Sequence, residues 1–237
     1  VLGGTGSQQF SQGWGMAGDV PAPGDYDGDG KTDLCIFRPS SNTWWILKSS
    51  DGSYYSVAFG ASGDKTAQAD FDGDGKTDIA VFRPTGGNWY ILQSSNGAMA
   101  QGQFGLTDDT PTPKDFDGDG RADLAVWRAS NSSFYSSNSS NNALQTATFA
   151  ESSTEPVPGD YDGDGKADYA IRQTGSANWV IRNSTSNQTE TISWQQSSDT
   201  AVQNDYDGDG KVDIAVWRES NGNWYIRKSG SNGALRQ

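Results

Sequence analysis

The stretch DYDGDGKTD (residues 25–33) decides the fold, because nearly the same nine residues return four more times. The five copies begin at Asp25, Asp70, Asp115, Asp160 and Asp205, and each start lies 45 residues after the previous one. No insertion or deletion breaks this register. A fixed period of this length is typical of repeat architectures, in which each repeat forms one structural unit.

Each repeat offers four short runs that suit β-strands. An apolar run follows each copy, as in DLCIFR (33–38), and an aromatic pair lies beyond a polar turn, as in TWWIL (43–47). A third run ends at an aromatic residue eleven residues before the next copy, and a fourth, such as PAPGDY (21–26) or TAQADF (66–71), leads into the copy. No run shows the 3.6-residue apolar period of a helix. Four short strands in about 40–45 residues predict a β-propeller blade.

We therefore predict an all-β fold, a five-bladed β-propeller of 45-residue, four-stranded blades that occupies residues 1–237 as a single domain. Shifting the sequence by five periods places residues 226–237 over residues 1–12. The N-terminal part of QQFSQGWG (8–15) can then supply the outer strand of the last blade, so that N- and C-terminal strands close the ring and remove an open edge. A stacked solenoid would need polar capping repeats, which the sequence lacks. A fragment of a larger ring is the remaining alternative.

Composition excludes several classes of function. The chain has no histidine, which excludes a Ser-His-Asp triad, a Cys-His pair and a His-ligated metal. Its single cysteine, Cys35, replaces an alanine of the other repeats and is expected to be a small buried thiol. The net charge of −13 argues against nucleic acid as a partner, and no apolar run approaches the length of a membrane span. The acidic residues outside the nine-residue copies form no recurring pair, so we predict that the chain is not an enzyme.

The aspartates follow the pattern D-x-D-x-D-G-x-x-D. Hard cations such as Ca²⁺ take about six to eight oxygen ligands, which the carboxylates at positions 1, 3, 5 and 9 and the backbone carbonyl at position 7 can supply. An EF-hand is excluded, because position 12 holds Ile or Val instead of Glu and the flanks suit strands. Asx-turns without an ion are the alternative, but carboxylates crowded this closely would repel one another.

We predict about five Ca²⁺ ions, one in each repeat. The predicted ligands, with Lys and Arg acting through their carbonyl groups, are Asp25, Asp27, Asp29, Lys31 and Asp33; Asp70, Asp72, Asp74, Lys76 and Asp78; Asp115, Asp117, Asp119, Arg121 and Asp123; Asp160, Asp162, Asp164, Lys166 and Asp168; and Asp205, Asp207, Asp209, Lys211 and Asp213.

Aromatic and arginine columns of the repeat are candidates for binding another molecule. One aromatic column is expected to pack between blades: Trp44, Trp89, Phe134, Trp179 and Trp224. The adjoining column points to the other face of its strand, and an arginine ends the second strand of four blades. These give the candidate ligand-binding residues Trp45, Tyr90, Tyr135, Tyr225, Arg38, Arg83, Arg128 and Arg218. The arginines can instead pair with a loop carboxylate or stack on an aromatic ring. Blade four has Gln173 at the arginine position and is expected to lack such a site.

An aspartate loop of this pattern inside an aromatic-rich repeat resembles the FG-GAP/VCBS family, the blades of integrin-α-like propellers. The resemblance extends from about Trp14 to Gln237. It implies that the loop joins the first and second strands of a blade and binds Ca²⁺ through its four aspartates. It also implies an extracellular setting and a role in adhesion or glycan recognition, with some members appended to secreted enzymes. Integrin-type rings have seven blades instead of five, which weakens the transfer of a partner-binding face.

These observations together predict a Ca²⁺-stabilised recognition or adhesion module that is secreted or lies at the cell surface. Its expected partner is a glycan or an extracellular protein, with no nucleic acid and no membrane insertion. Two alternatives remain open. One is a non-catalytic ancillary domain of a larger secreted enzyme, and the other is a structural surface subunit that self-associates.

Overall fold

A computed structural model describes residues 14–16, 18–151, 154–205, 209–218 and 223–229. Blade one contains β1 (Val20–Pro21), β2 (Leu34–Arg38), β3 (Thr43–Leu47) and β4 (Tyr54–Ala58). Blade two contains β5 (Lys65–Thr66), β6 (Ile79–Arg83), β7 (Asn88–Leu92) and β8 (Met99–Gln103). Blade three contains β9 (Thr110–Pro111), β10 (Leu124–Arg128), a 3₁₀ turn (Ala129–Asn131), β11 (Ser133–Ser137) and β12 (Leu144–Thr148). Blade four contains β13 (Thr154–Pro156), β14 (Tyr169–Gln173), β15 (Asn178–Arg182) and β16 (Thr189–Ser193). Blade five contains β17 (Thr200–Ala201), β18 (Ile214–Arg218) and β19 (Asn223–Arg227).

The strands form five separate antiparallel sheets, each ordered as in the sequence. Four sheets have four strands, and the described part of the fifth has three, β17, β18 and β19. The prediction of an all-β, five-bladed propeller is confirmed. The outer strand of the fifth blade was predicted to come from the N-terminal part of QQFSQGWG (8–15), and residues 8–13 of that run lie outside the described residues.

The innermost strands are shorter than the sequence predicted. The run PAPGDY (21–26) was expected to be a short strand, but β1 ends at Pro21. Beyond it, the amide of Ala22 donates to the carbonyl of Cys35, and an isolated bridge, Gly24↔Asp33, continues the pairing. Just beyond that bridge, the amide of Tyr26 donates to the side chain of Asp33 instead of to a neighbouring strand. The ladder therefore stops where the aspartate loop begins. The same isolated bridge recurs in all five blades.

Neighbouring blades are joined at their aspartate loops. The amide at position 8 of one loop donates to the carbonyl at position 1 of the loop before it, as Thr77 does to Asp25 over 2.7 Å. Three further links of this kind join blades two to five: Ala122 to Asp70, Ala167 to Asp115, and Val212 to Asp160. The side chain of Asn204 in blade five donates to Thr32 Oγ1 in blade one over 3.0 Å. The five loops therefore follow one another around a ring.

The hydrophobic core lies between adjacent blades. Trp44 and Ile46 of blade one, for example, share a buried cluster with Ile79 and Val81 of blade two. The aromatic column that was predicted to pack between blades is fully buried at Trp44, Trp89, Phe134 and Trp179. The prediction for Cys35 is also confirmed: the thiol is buried, and burial raises its pKa to about 12.

Candidate functional site

Backbone amides hold the first and last aspartates of each loop in place. In blade two, Asp70 accepts hydrogen bonds from Gly73 over 2.6 Å and from Gly75 over 2.8 Å, one at each carboxylate oxygen. Both glycines have positive φ angles (79° and 83°), which glycine adopts without steric cost. Asp78 is fully buried and accepts from the amides of Phe71 and Ser94. These four bonds fix two carboxylates before any ligand binds.

The loops bring three carboxylates together in each of four blades. One oxygen from each of the three lies within 4.8 Å of the other two. The four clusters are Asp25, Asp27 and Asp29; Asp70, Asp72 and Asp78; Asp115, Asp117 and Asp123; and Asp160, Asp162 and Asp168. Each cluster could hold a metal ion. The fifth predicted set includes Asp207, which lies outside the described residues.

Each cluster contains three of the four predicted carboxylates. In blades two to four the absent member is position 5 (Asp74, Asp119 and Asp164), and in blade one it is Asp33 at position 9. The carboxylate at position 5 is hydrogen-bonded within its own blade: Asp74 Oδ1 accepts from the amide of Lys76 and from the hydroxyl of Ser94. That the position-7 carbonyl groups act as ligands stays a prediction.

Two observations indicate that the carboxylates of blade two suit a hard cation. Asp72 Oδ1 is buried and has no hydrogen-bond partner among the described residues, although it carries lone pairs that need one. Burial raises the pKa of Asp78, and the neighbouring charge of Asp72 raises it further. Burial and a like charge act in the same way on Asp123 and Asp168. A cation would relieve both the repulsion and the unpaired oxygen.

A serine column that the sequence reasoning missed supports the loops from the turn after the third strand. Its amides donate to the ninth aspartate over 2.7 Å in all five blades: Ser49, Ser94, Ser139, Ser184 and Ser229. Its hydroxyls donate to the fifth aspartate of the same blade. The signal was present in the sequence as a serine at a constant 45-residue step.

The candidate arginines and aromatic residues form a repeated unit in four blades. Arg83 makes two hydrogen bonds of 2.8 and 2.9 Å to Asp64, and its guanidinium lies 4.4 Å from the ring centroid of Tyr90. The other units are Arg38 with Asp19 and Trp45, Arg128 with Asp109 and Tyr135, and Arg218 with Asp199 and Tyr225. The arginines therefore both pair and stack. Arg218 holds the pKa of Asp199 below its usual range through these hydrogen bonds.

The carboxylate of this unit was not recognised from the sequence. It belongs to the turn before each blade's first strand and not to the aspartate loop, and it recurs every 45 residues as Asp19, Asp64, Asp109 and Asp199. Blade four lacks all three members, with Thr154, Gln173 and Val180 in their places. Its buried Arg172 pairs instead with Glu155 over 2.7 Å. The three positions thus change together, as expected for one unit.

A surface cleft of about 200 Å³ adjoins the unit of blade one. It is lined by Trp14, Gly15, Ile36, Arg38 and Trp45. The indole N–H of Trp14 donates to the carbonyl of Trp45 over 3.2 Å, whereas the indole N–H of Trp45 is buried without a partner among the described residues. The cleft therefore combines two aromatic side chains with a cationic group.

These features define a β-propeller whose blades carry carboxylate clusters suited to metal ions. Residues 70–126 and 115–171 match the model of the FG-GAP-like repeat. The five-bladed propeller is consistent with the FG-GAP repeat family, and the resemblance stated from the sequence is confirmed. No curated protein matches the sequence. Among the described residues, no helix is long and apolar enough to cross a membrane.

Solved structures of similar fold include proteins with different activities. A lectin from Agrocybe aegerita, described as recognising non-reducing terminal N-acetylglucosamine, is 16% identical with a TM-score of 0.56. The match covers 94% of this chain and 66% of the lectin. A Bacteroides caccae protein of unknown function is 13% identical (TM-score 0.57; 90% and 80% covered). Virginiamycin B lyase from Staphylococcus aureus is 10% identical (TM-score 0.57; 95% and 72% covered). These identities show the fold alone, and the fold occurs in a lectin and in an enzyme.

Proposed function

We propose that this chain is a calcium-stabilised recognition module that binds glycans outside the cell or at its surface. The observation that carries the recognition part is the aromatic cleft of blade one, where Arg38 lies beside Trp14 and Trp45. Small-molecule sites are mostly apolar and aromatic, with a few placed polar groups. A sugar offers both an apolar C–H face and hydroxyl groups, which suits this lining. The likeness in fold to the Agrocybe lectin supports the same class of ligand.

Calcium is the cation that suits the aspartate clusters best. The donors are carboxylate oxygens in a glycine-containing loop, which can adopt the flexible coordination of Ca²⁺ more readily than the strict octahedron of Mg²⁺. Five Ca²⁺ ions would reduce the formal net charge from −13 to −3. Extracellular modules bind Ca²⁺ with dissociation constants of about 10⁻⁴–10⁻³ M, so the proposed setting and the proposed ion agree.

Removal of calcium tests the metal part of the proposal. At a Ca²⁺ concentration ten times its dissociation constant, each occupied site stabilises the folded state by about 1.4 kcal/mol. We expect addition of EDTA to lower the melting temperature strongly, and excess Ca²⁺ to restore it. Mg²⁺ at the same concentration should restore it less. A melting curve that is the same with EDTA and with Ca²⁺ would contradict the proposal.

A glycan array tests the recognition part. The most informative substitutions replace the aromatic column by valine, which blade four already has at this position as Val180. They are Trp45→Val, Tyr90→Val, Tyr135→Val and Tyr225→Val. We expect the wild-type chain to bind immobilised oligosaccharide saturably. The combined variant should bind it about tenfold or more weakly at each site, because each site loses a stacking contact and a hydrogen bond to the sugar. Leu144→Thr is the matched control, since Leu144 is exposed and blade four has Thr189 there. Unchanged binding by the combined variant would rule out these units as the glycan sites.

A further inference from the structure

The interface between blades three and four departs from the repeat at two facing positions. Ser136 stands in a column that is otherwise isoleucine: Ile46, Ile91, Ile181 and Ile226. Tyr169 stands in a column that is otherwise leucine or isoleucine: Leu34, Ile79, Leu124 and Ile214. The aliphatic residues of these columns pack together across three other interfaces, as Ile46 does with Ile79 in one buried cluster. Ser136 is fully buried, and its hydroxyl shares a hydrogen bond of 2.7 Å with that of Tyr169. A polar pair therefore replaces an aliphatic contact at this interface.

A cleft of about 490 Å³ opens beside this polar pair. Its volume lies within the range of about 300–1,000 Å³ that is typical of small-molecule sites. Part of its wall is a rigid aromatic pair, since the rings of Phe116 and Tyr169 stack at 4.5 Å with an interplanar angle of 12°. Side-chain amides line it from both blades: Asn138, Asn141, Gln145, Asn183 and Asn187.

A chain of hydrogen bonds leads from the buried pair into the cleft. The Tyr169 hydroxyl donates to Gln145 Oε1 over 3.4 Å, and Gln145 Nε2 donates to Asn138 Oδ1 over 2.9 Å. Asn138 is only 6% exposed. No described residue accepts a hydrogen bond from its Nδ2 group. Asn138 lines the cleft, and its Nδ2 group can donate to a ligand bound there, while its Oδ1 is held by Gln145.

The chemistry of the lining selects the class of ligand. Carboxamides donate and accept hydrogen bonds at the same time, as do the hydroxyl groups of a sugar. The charged groups of the lining, Lys166 and Arg182 against Asp117, are of mixed sign and do not favour a strongly charged ligand. Arg182 is engaged within the protein, because it donates to the carbonyl of Thr148 over 2.8 Å and lies 5.0 Å from the ring centroid of Phe149.

We propose that the cleft between blades three and four binds one neutral mono- or disaccharide, with the side chain of Asn138 as a principal hydrogen-bond donor. The Ser–Tyr pair beside this cleft occurs once in the repeat sequence, unlike the Arg–aromatic units that recur in four blades. It shares a ligand class with the proposed function but does not depend on those units. Binding at the cleft and binding at the repeated units can therefore be tested separately.

The first experiment compares two amides at equivalent positions of the repeat. The full chain, in excess Ca²⁺, is applied to an array of neutral and sialylated oligosaccharides, and the strongest neutral binder is then titrated calorimetrically. Asn138→Ala should weaken binding about tenfold, the effect of one lost hydrogen bond to the ligand. Gln93→Ala, at the same position of blade two and outside the cleft, should leave the affinity unchanged. Equal affinities of the two variants would overturn the proposal.

A second variant separates loss of the site from loss of the fold. Ser136→Ile combined with Tyr169→Leu rebuilds the aliphatic contact of the other interfaces, so the melting temperature should be maintained while cleft binding is lost. Wild-type affinity in this double variant would show that the polar pair serves packing alone. An array with no bound neutral saccharide, or with only sialylated ones bound, would also overturn the proposal.

The substitutions of the aromatic column distinguish the two sites. If the combined valine variant loses all binding and the double variant loses none, the cleft is not a site and the proposed function stands on the repeated units. If only the double variant loses binding, with a stoichiometry of one saccharide per chain, the cleft is the site and the repeated units are not.

Discussion

At the scale of single residues, the Arg–Asp pairs show how a charge is retained inside a blade. Asp109 is 1% exposed, accepts two hydrogen bonds of 2.8 Å from Arg128 and also accepts from the amide of Leu106. Removing one partner of such a pair leaves a buried charge without compensation, which is more costly than removing both. Blade four has neither partner, since Thr154 and Gln173 stand in their places.

This asymmetry gives a testable prediction. Arg128→Gln should lower the free energy of unfolding by about 3 kcal/mol, because the Asp109 carboxylate loses its counterion. Adding Asp109→Thr, which completes the blade-four pair, should recover at least half of that loss. Urea unfolding at constant Ca²⁺ measures both values. If the double variant is as unstable as the sum of the two single variants, the residues do not form a coupled unit.

At the scale of elements, the turn after each third strand supports the aspartate loop of its own blade. The Ser94 amide donates to Asp78 and its hydroxyl donates to Asp74, so one residue orients two carboxylates. Asp74 lies outside the three-carboxylate cluster of its blade but is a predicted ligand. Groups that orient metal ligands typically change metal affinity by about 10–100-fold when they are lost. Alanine retains the amide and removes only the hydroxyl.

We therefore predict that replacing this serine column weakens calcium binding without breaking the loop. The combined variant Ser49→Ala, Ser94→Ala, Ser139→Ala and Ser184→Ala should bind Ca²⁺ about tenfold more weakly, as measured by calorimetric titration. Ser62→Ala is a control, because Ser62 is exposed in a turn outside the loops. A shift of the same size in the control, or no shift in the combined variant, would refute the supporting role.

The sequence predicts the features that a short run of residues determines by itself, and not the contacts between side chains that are distant in the sequence. The strand β3 matches its predicted bounds, because TWWIL is an apolar, aromatic run that lies between polar turns. The strand β1 is shorter than the run PAPGDY, and the Tyr26 amide at the end of that run donates to the Asp33 side chain, a contact that strand patterns do not encode. The pairing of Arg83 with Asp64 joins residues 19 positions apart, so only the structure reveals it. Spacing predicted the aspartates as ligands, but not which three of them converge.

At the scale of the whole molecule, the loops connect the blades into one mechanical unit. Loop two accepts a backbone hydrogen bond from Ala122 of blade three, and Thr77 of the same loop donates to Asp25 of blade one. The buried clusters also span pairs of blades. We therefore expect a perturbation of one loop to affect the neighbouring blades, since the buried clusters of the described residues each contain residues of two blades.

The substitution Asp72→Asn tests this cooperativity together with the role of the cation. In excess Ca²⁺ the variant should lose about 1.4 kcal/mol, the contribution of one site at ten times its dissociation constant, and its melting temperature should fall by about 3–6 °C. In EDTA the sign should reverse, because the amide removes a charge that raises the pKa of Asp78 by repulsion. Differential scanning calorimetry should show one transition in both conditions. A second transition at lower temperature would mean that blade two melts alone, and an equal shift with Ca²⁺ and with EDTA would mean that Asp72 is not a ligand.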